Sequence, residues 1–154
     1  MRALLRRAPP PFLFAVPLVL GLWLDHHCLQ PLAPRSLGRA GRMAGVTLIA
    51  FGAILALSCI ALFAWRRTTI VPHGRARSLV TSGPFRISRN PMYVALSFVY
   101  LGACFATNAA WLLFFLALPL VVLQMVTIPM EERTLREAFG REYETYTSRV
   151  RRWL

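Results

Sequence analysis

The chain has 154 residues, the size of one domain, and 56% of them are hydrophobic. Its formal net charge is +12, and all 18 basic residues are arginines. Such a balance suits nucleic acid or an anionic membrane surface, but a nucleic-acid binder has no need of long apolar runs. The composition therefore argues against nucleic acid as a partner and indicates a single integral membrane domain over residues 1–154.

Four apolar runs approach the roughly 20 residues that a helix needs to cross the hydrocarbon core of a bilayer. They cover residues 11–29, 43–65, 91–107 and 109–129. These runs predict an all-α, multi-pass membrane bundle of about four transmembrane helices. The arginines before the first run also resemble the start of a signal peptide, but no small-x-small cleavage site follows Trp23, so we expect a retained span.

Short polar or small residues connect and line the runs. Thr107 and Asn108 separate the last two runs, which predicts a tight helical hairpin with Asn108 as the N-cap of its second helix. The sequence leaves the oligomeric state open, although small residues at Gly41, Gly45 and Gly52 could pair spans.

The arginines predict the orientation in the membrane. With four spans and a cytoplasmic N-terminus, 15 arginines lie inside and three outside, as the positive-inside rule expects. Two cytoplasmic segments are then candidates for chemistry, the loop 66–90 and the tail 130–154.

The tail has the pattern of one amphipathic helix lying on the cytoplasmic membrane surface. Its apolar positions recur at spacings of three and four: Leu135, Phe139, Tyr143, Tyr146 and Val150. Its expected ion pairs, four residues apart, are Glu132–Arg136 and Glu137–Arg141.

Two features at the membrane boundary could bind a ligand. Asn90-Pro91 predicts a helix start with Asn90 as N-cap, and its free backbone N–H groups favour an anion. Glu131 and Glu132 begin the tail and could hold an ammonium group. Each feature also has a plain structural interpretation, as a helix cap and as a complement to the helix dipole. Together they would suit a zwitterionic amino-acid group.

An ordered set of motifs extends over about residues 65–150. It reads Leu79-Val80-Thr81-Ser82-Gly83-Pro84-Phe85-Arg86, then Arg89-Asn90-Pro91-Met92-Tyr93, then Glu131-Glu132 with Leu135, Phe139-Gly140, Tyr143 and Tyr146. This set resembles the isoprenylcysteine carboxyl methyltransferase and phospholipid methyltransferase superfamily. The resemblance implies two N-terminal spans over 1–65, and over 66–154 a loop, helical hairpin and tail that bind S-adenosylmethionine on the cytoplasmic side.

The implied reaction is methyl transfer to a lipophilic acceptor, a carboxylate, amine or thiol, at the inner membrane of a bacterium. The resemblance assigns cofactor contacts to Arg77, Ser78, Leu79, Val80, Phe85, Arg89, Asn90, Pro91, Met92, Tyr93, Glu131 and Glu132. Glu131 would hold the cofactor's ammonium group, and Glu132 would support the fold. Phe85 replaces the usual tyrosine, so it can pack but cannot donate a hydrogen bond.

Two departures from the family pattern affect the chemistry. Asn90 replaces a common histidine and cannot titrate, so no catalytic residue is assigned, and no metal is expected. Thr127 marks the substrate position, because the prenylcysteine enzymes carry there an arginine for the substrate carboxylate. Its identity argues against a prenylcysteine carboxylate as the acceptor.

Two alternatives to the methyltransferase stay open. One is an NADPH-dependent lipid reductase, which shares the superfamily resemblance, and the other is a non-enzymatic membrane partner or transporter. Asp25-His26-His27-Cys28 spells the signature of protein palmitoyltransferases, but it lacks their cysteine-rich zinc domain, so we interpret it as coincidence. His73 in the loop is expected to be a solvated side chain rather than a base.

Overall fold

The computed structural model describes residues 10–28, 38–66 and 78–154. Within these ranges the secondary structure is helical and contains no strand, which confirms the all-α prediction for the described part of the chain. Six α-helices are seen there: α1 (Pro10–Cys28), α2 (Gly38–Trp65), α3 (Pro91–Thr107), α4 (Ala110–Val122), α5 (Ile128–Phe139) and α6 (Arg141–Arg149). His73 and Arg77 lie outside the described residues.

Among the residues that the structure describes, two helices are long and apolar enough to cross a membrane. They are α2 and the continuous helix Ala110–Phe139, which comprises α4, a π-helical turn at Leu123–Thr127 and α5. The other two apolar helices, α1 and α3, are shorter. The helix α3 has the bounds of its predicted run, whereas α2 begins five residues before its run, at Gly38. The total number of spans stays a prediction.

The helices α2 and α3 pack backbone to backbone at two glycine sites. A Cβ atom on Gly45 would lie 2.6 Å from the carbonyl oxygen of Gly102, and one on Gly52 would lie 2.7 Å from that of Ala95. Only a residue without a side chain fits at these crossings. A Cβ on Gly41 would lie at ordinary contact distance, 3.7 Å from the backbone of α3. These glycines therefore pack two helices of one chain.

The predicted hairpin between α3 and α4 is present, but its capping residue differs from the prediction. Asn108 adopts the left-handed conformation (φ 57°, ψ 33°) and ends α3, while Ala109 takes the N-cap position of α4. The prediction that Asn108 caps α4 is therefore wrong. The reason is that asparagine tolerates a left-handed backbone, which also makes it suitable for closing a helix.

The tail is two helices rather than the predicted single one. Gly140, with φ 48° and ψ −120°, separates α5 from α6, and Val150 lies beyond the end of α6. The π turn precedes Pro129, which has no N–H to continue the regular bonding pattern. An apolar spacing that continues across Gly140 concealed the break.

The predicted ion pairs of the tail are also wrong. Arg133 pairs with Glu137 on the exposed surface of α5, with the Arg133 Nε atom 2.9 Å from Oε1 of Glu137. Glu132 points instead into the protein, where only 9% of its surface is exposed. Long-range partners compete successfully with the local arginine for this carboxylate.

The core lies between α1, α3, α4 and the π turn. Its fully buried side chains include Tyr100, Cys104, Leu112, Leu123 and Ile128. Cys59 and Cys104 are completely buried and pack as small hydrophobic residues. Asp25, His26 and His27 lie in the last turns of α1.

Candidate functional site

Tyr93 in the first turn of α3 reaches Glu131 in the first turn of α5. Its hydroxyl donates a hydrogen bond of 2.6 Å to Oε1 of the carboxylate, across 38 residues of sequence. Tyr93 is buried and Glu131 is half-buried. Among the described residues, Oε2 of Glu131 accepts no hydrogen bond. The predicted helix start and the predicted acidic turn therefore meet, and one carboxylate oxygen remains for a further donor.

Glu132 is engaged on both of its oxygens. Nη1 of Arg89 lies 3.0 Å from Oε1, and Arg152 donates from Nε to Oε1 at 3.0 Å and from Nη2 to Oε2 at 2.7 Å. Two arginines around one buried carboxylate hold together the loop before α3, the helix α5 and the segment after α6. The geometry gives Glu132 a supporting role and leaves Glu131 as the carboxylate with spare capacity.

Asn90 occupies the predicted N-cap position, but its side chain does not cap the helix. Its Nδ2 donates to the carbonyl oxygen of Arg152 at 2.9 Å, while its backbone N–H donates to Oγ of Ser88 at 3.0 Å. The backbone N–H groups of Tyr93 and Val94 both donate to the carbonyl oxygen of Asn90. The start of α3 therefore offers an anion fewer free N–H groups than its sequence suggests.

The loop before α3 is fixed by aromatic residues. It turns at Gly83 (φ 60°), which opens a 3₁₀ turn at Gly83–Arg86. The Phe85 ring packs edge-on against Phe63 of α2, with centroids 5.4 Å apart, and the Tyr146 hydroxyl donates to the Phe85 carbonyl at 2.8 Å. Burial raises the pKa of Tyr146, so its hydroxyl stays protonated as a donor. Phe85 thus packs against α2, and its contact with the cofactor stays a prediction.

Tyr143 completes the polar cluster from α6. It is 1% exposed. Burial raises the pKa of its hydroxyl, the negative charge of Glu132 raises it further, and Arg89 opposes both effects. Tyr143 is consequently neutral over the physiological range.

The remaining sequence-predicted residues differ in accessibility. Ser78 is exposed, Leu79 is half-buried and Val80 is buried as the chain enters the loop. Pro91 is buried and Met92 is half-buried in the first turn of α3. Within the described part of the predicted set, the direct side-chain contacts are those of Tyr93 with Glu131 and of Arg89 with Glu132.

Thr127 lies at the end of the π turn, one helical turn before Glu131. Its hydroxyl oxygen is buried and has no hydrogen-bond partner among the described residues. Leaving a buried hydroxyl unpaired costs about 1–3 kcal/mol, so such a group is a candidate for contact with a ligand. Single-turn π segments occur frequently at functional sites.

An apolar groove of about 710 Å³ begins beside Tyr93. Helices α3 and α4, the π turn and the last residues of the chain form it, with Val94, Ser97, Leu101, Leu116, Gln124 and Trp153 among its lining residues. Val94 and Leu101 are seven residues apart on α3, which corresponds to a length of about 10 Å. The groove therefore extends along about two turns of α3.

Sequence reasoning missed three residues of this region: Ser88, Arg152 and Trp153. Ser88 is 2% exposed and donates to the carbonyl oxygen of Arg152 at 3.3 Å, and the Trp153 indole donates to Oε1 of Gln124 at 2.9 Å. Their long-range partners are between 20 and 64 residues away in sequence. A tryptophan directly after a pair of arginines was the only local signal.

Comparison with known protein families matches the chain to one of them. The phospholipid methyltransferase family matches residues 40–142, from the start of α2 into α6. The chain belongs to the phospholipid methyltransferase family. Membership implies a membrane-associated methyltransferase that acts on lipids. The same comparisons find no significant match to a curated protein or to a solved structure.

Proposed function

We propose that this phospholipid methyltransferase family member transfers a methyl group from S-adenosylmethionine to a lipophilic acceptor that enters from the bilayer. The hydrogen bond from Tyr93 to Glu131 carries the proposal. It joins the start of α3 to the acidic turn of α5 and holds a half-buried carboxylate on Tyr93, whose chain neighbour Val94 lines the apolar groove. In the proposed topology all four apolar helices span the membrane and this site faces the cytoplasm.

The residues present suit the amino-acid end of the cofactor. Glu131 has one oxygen held by Tyr93 and one without a described partner, so it can accept from an ammonium group. Glu132 is occupied by Arg89 and Arg152. Nε of Arg89 is buried without a hydrogen-bond partner among the described residues, which makes Arg89 the candidate for the carboxylate end. Residues 78–80 and Phe85 would then border the nucleoside.

S-adenosylmethionine supplies a sulfonium methyl group, whose carbon–sulfur bond breaks, with the electron pair left on sulfur, as a bond to an oxygen, nitrogen or sulfur of the acceptor forms. The protein's part is to align the two reactants and exclude water. Asn90 cannot titrate, and its amide is committed to the Arg152 carbonyl. We therefore assign no general base, and a proton from an amine acceptor would pass to solvent.

Replacing Glu131 with glutamine tests the cofactor site. We expect Glu131→Gln to weaken S-adenosylmethionine binding about 30-fold, because a charge-assisted contact of about 2 kcal/mol is lost. Calorimetry in detergent gives the affinity, and thermal unfolding shows whether the protein is still folded. Glu137→Gln, on the exposed face of the same helix, is the matched control and should change neither quantity. An unchanged affinity in Glu131→Gln would contradict the site.

A ligand comparison separates methyl transfer from the reductase alternative. S-adenosylmethionine should raise the thermal midpoint of the purified protein, and NADPH should leave it unchanged. The opposite result would reject the proposed cofactor and favour the lipid reductase.

The groove is proposed to hold the acyl or prenyl chain of the acceptor. Ser97→Trp fills the groove with an indole, so methyl transfer should fall more than tenfold while the affinity for S-adenosylmethionine is retained. Transfer of labelled methyl groups into vesicles that contain an aminophospholipid, a prenylated thiol or a fatty acid provides the assay. Ser97→Ala serves as the control, and equal transfer by both variants would exclude the groove.

A further inference from the structure

The segment that follows α6, residues 150–154, lies between the proposed cofactor site around Glu131 and the apolar groove proposed for the acceptor chain. Val150 leaves the helix with an extended backbone (φ −120°, ψ 131°). The backbone N–H of Arg89 donates to the carbonyl oxygen of Arg151 at 2.9 Å, and Asn90 and Ser88 both donate to that of Arg152. Three hydrogen bonds therefore fasten this segment to the start of α3.

Successive side chains of the segment point to different sites. Arg152 reaches Glu132 with two hydrogen bonds, on the side of the proposed cofactor site. Trp153 turns the other way, donates from its indole nitrogen to Gln124 and lines the apolar groove. The backbone bends at Arg152, where the two directions separate. One short segment thus forms a boundary of both sites.

Arg152 is bonded to Glu132 and to the start of α3, so the adjacent Trp153 lines the groove close to the proposed cofactor site. Its partner Gln124 belongs to the π turn, and Val94, which also lines the groove, directly follows Tyr93. The hydrogen bond to Gln124 fixes one edge of the ring, and the ring also packs against the buried core. A large, immobilised ring at this position limits how wide an acceptor can be where its chain enters.

Given the proposed function, on which this inference rests, we propose that Trp153 determines acceptor specificity by the width of the groove mouth. It admits a single acyl or prenyl chain next to the reacting atom and disfavours a headgroup from which two chains diverge. Arg152 is a positioning residue: it touches neither reactant and holds Trp153 in place through Glu132 and the start of α3.

The matched pair for the test is an aminophospholipid with one acyl chain and the same headgroup with two chains. The parent protein should methylate the one-chain form with the higher kcat/KM. In Trp153→Ala the ratio of the two values should shift about tenfold towards the two-chain form, with the S-adenosylmethionine affinity unchanged. Trp111→Ala, which removes an indole of α4 outside the groove, is the control and should leave the ratio unchanged. An unchanged ratio in Trp153→Ala overturns the inference.

The positioning role of Arg152 is tested by the same ratio of the kcat/KM values for the one-chain and two-chain acceptors. Arg152→Met should shift it in the direction of Trp153→Ala, and Arg152→Lys should restore part of the parent preference because it keeps a cation beside Glu132. A purely structural role would lower the activity with both acceptors equally, and that result would overturn the role of Arg152.

Fluorescence provides a measurement that does not require methyl transfer. The emission of Trp153 is obtained by subtracting the fluorescence of Trp153→Phe from that of the parent protein. Brominated acyl chains quench the emission of a tryptophan that they contact. The one-chain brominated lipid should quench this component at a lower mole fraction than the two-chain lipid, whereas both should quench the remaining tryptophans alike. Equal quenching of Trp153 by both lipids rejects the inference, and selective quenching supports it even where no methyl transfer is found.

Discussion

The α2–α3 crossing and the polar cluster around Glu132 are held together by different physics. At the crossing, glycine lets two backbones approach directly, and shape complementarity provides the attraction. Around Glu132, charges and hydrogen bonds join the loop before α3, the helix α5 and the segment after α6. The first region tolerates no added atom, and the second tolerates no removed charge. The difference indicates that the apolar half is a scaffold, and the polar half is where the proposed site lies.

The largest effect should come from deleting the central carboxylate of the polar cluster. Glu132→Ala leaves the guanidinium groups of Arg89 and Arg152 beside each other and should lower the free energy of unfolding by about 3 kcal/mol. Equilibrium unfolding in mixed micelles measures this. Glu137→Ala removes the exposed partner of Arg133 and should cost less than about 0.5 kcal/mol. Equal losses in the two variants would show that the cluster is no more than a surface feature.

A slightly smaller effect is expected at the crossing. Gly52→Val places atoms where a Cβ would already lie 2.7 Å from the Ala95 carbonyl oxygen, so the helices must separate. Overpacking of this kind costs about 1–3 kcal/mol. Gly38→Val is the control, because nothing lies within 4 Å of a Cβ built there. The same unfolding measurement applies, and a stable Gly52→Val protein would argue against close packing of α2 on α3.

The smallest effect concerns the contact that joins the loop to α6. Tyr146→Phe removes the hydroxyl that donates to the Phe85 carbonyl and should lower the free energy of unfolding by about 1 kcal/mol. The ring stays, so packing is preserved. If this loop borders the cofactor, S-adenosylmethionine should also bind a few-fold more weakly to the variant. A loss of stability without any loss of affinity would separate the loop from the site.

Much of the architecture could be predicted from local patterns. The bounds of α3 follow from Asn90-Pro91 at one end and a polar pair at the other, and the apolar run of α2 has no other use than burial or lipid contact. The meeting of Tyr93 and Glu131 followed from motif order once the resemblance was recognised. Sequence reasoning failed at Asn108, whose left-handed backbone ends α3 instead of capping α4. It also failed at Gly140, whose positive φ breaks an apolar spacing that looked continuous.

The candidate site was predictable in its position but not in its bonding. Both glutamates were expected there, yet nothing local shows that Glu132 is saturated by two arginines while Glu131 keeps one oxygen for a ligand. The side chain of Asn90 was expected to cap α3, and it is drawn away by a carbonyl 62 residues later in the chain. Such competition between local and distant partners is decided by which groups the fold brings within reach.

By itself the amino-acid sequence determined the class of protein, because the backbone polar groups of long uncharged apolar runs can be satisfied only as helices in a membrane or a core. The order of the motifs determined the family. Only the tertiary structure decided that Glu131 keeps one oxygen without a described partner and that Gly45 and Gly52 bring α2 against α3. It also decided that Arg152 and Trp153 lie beside the proposed site. Hydrophobicity is a property of each segment and can be read along the chain. A hydrogen bond between residues 20 to 64 positions apart exists only after the helices have packed.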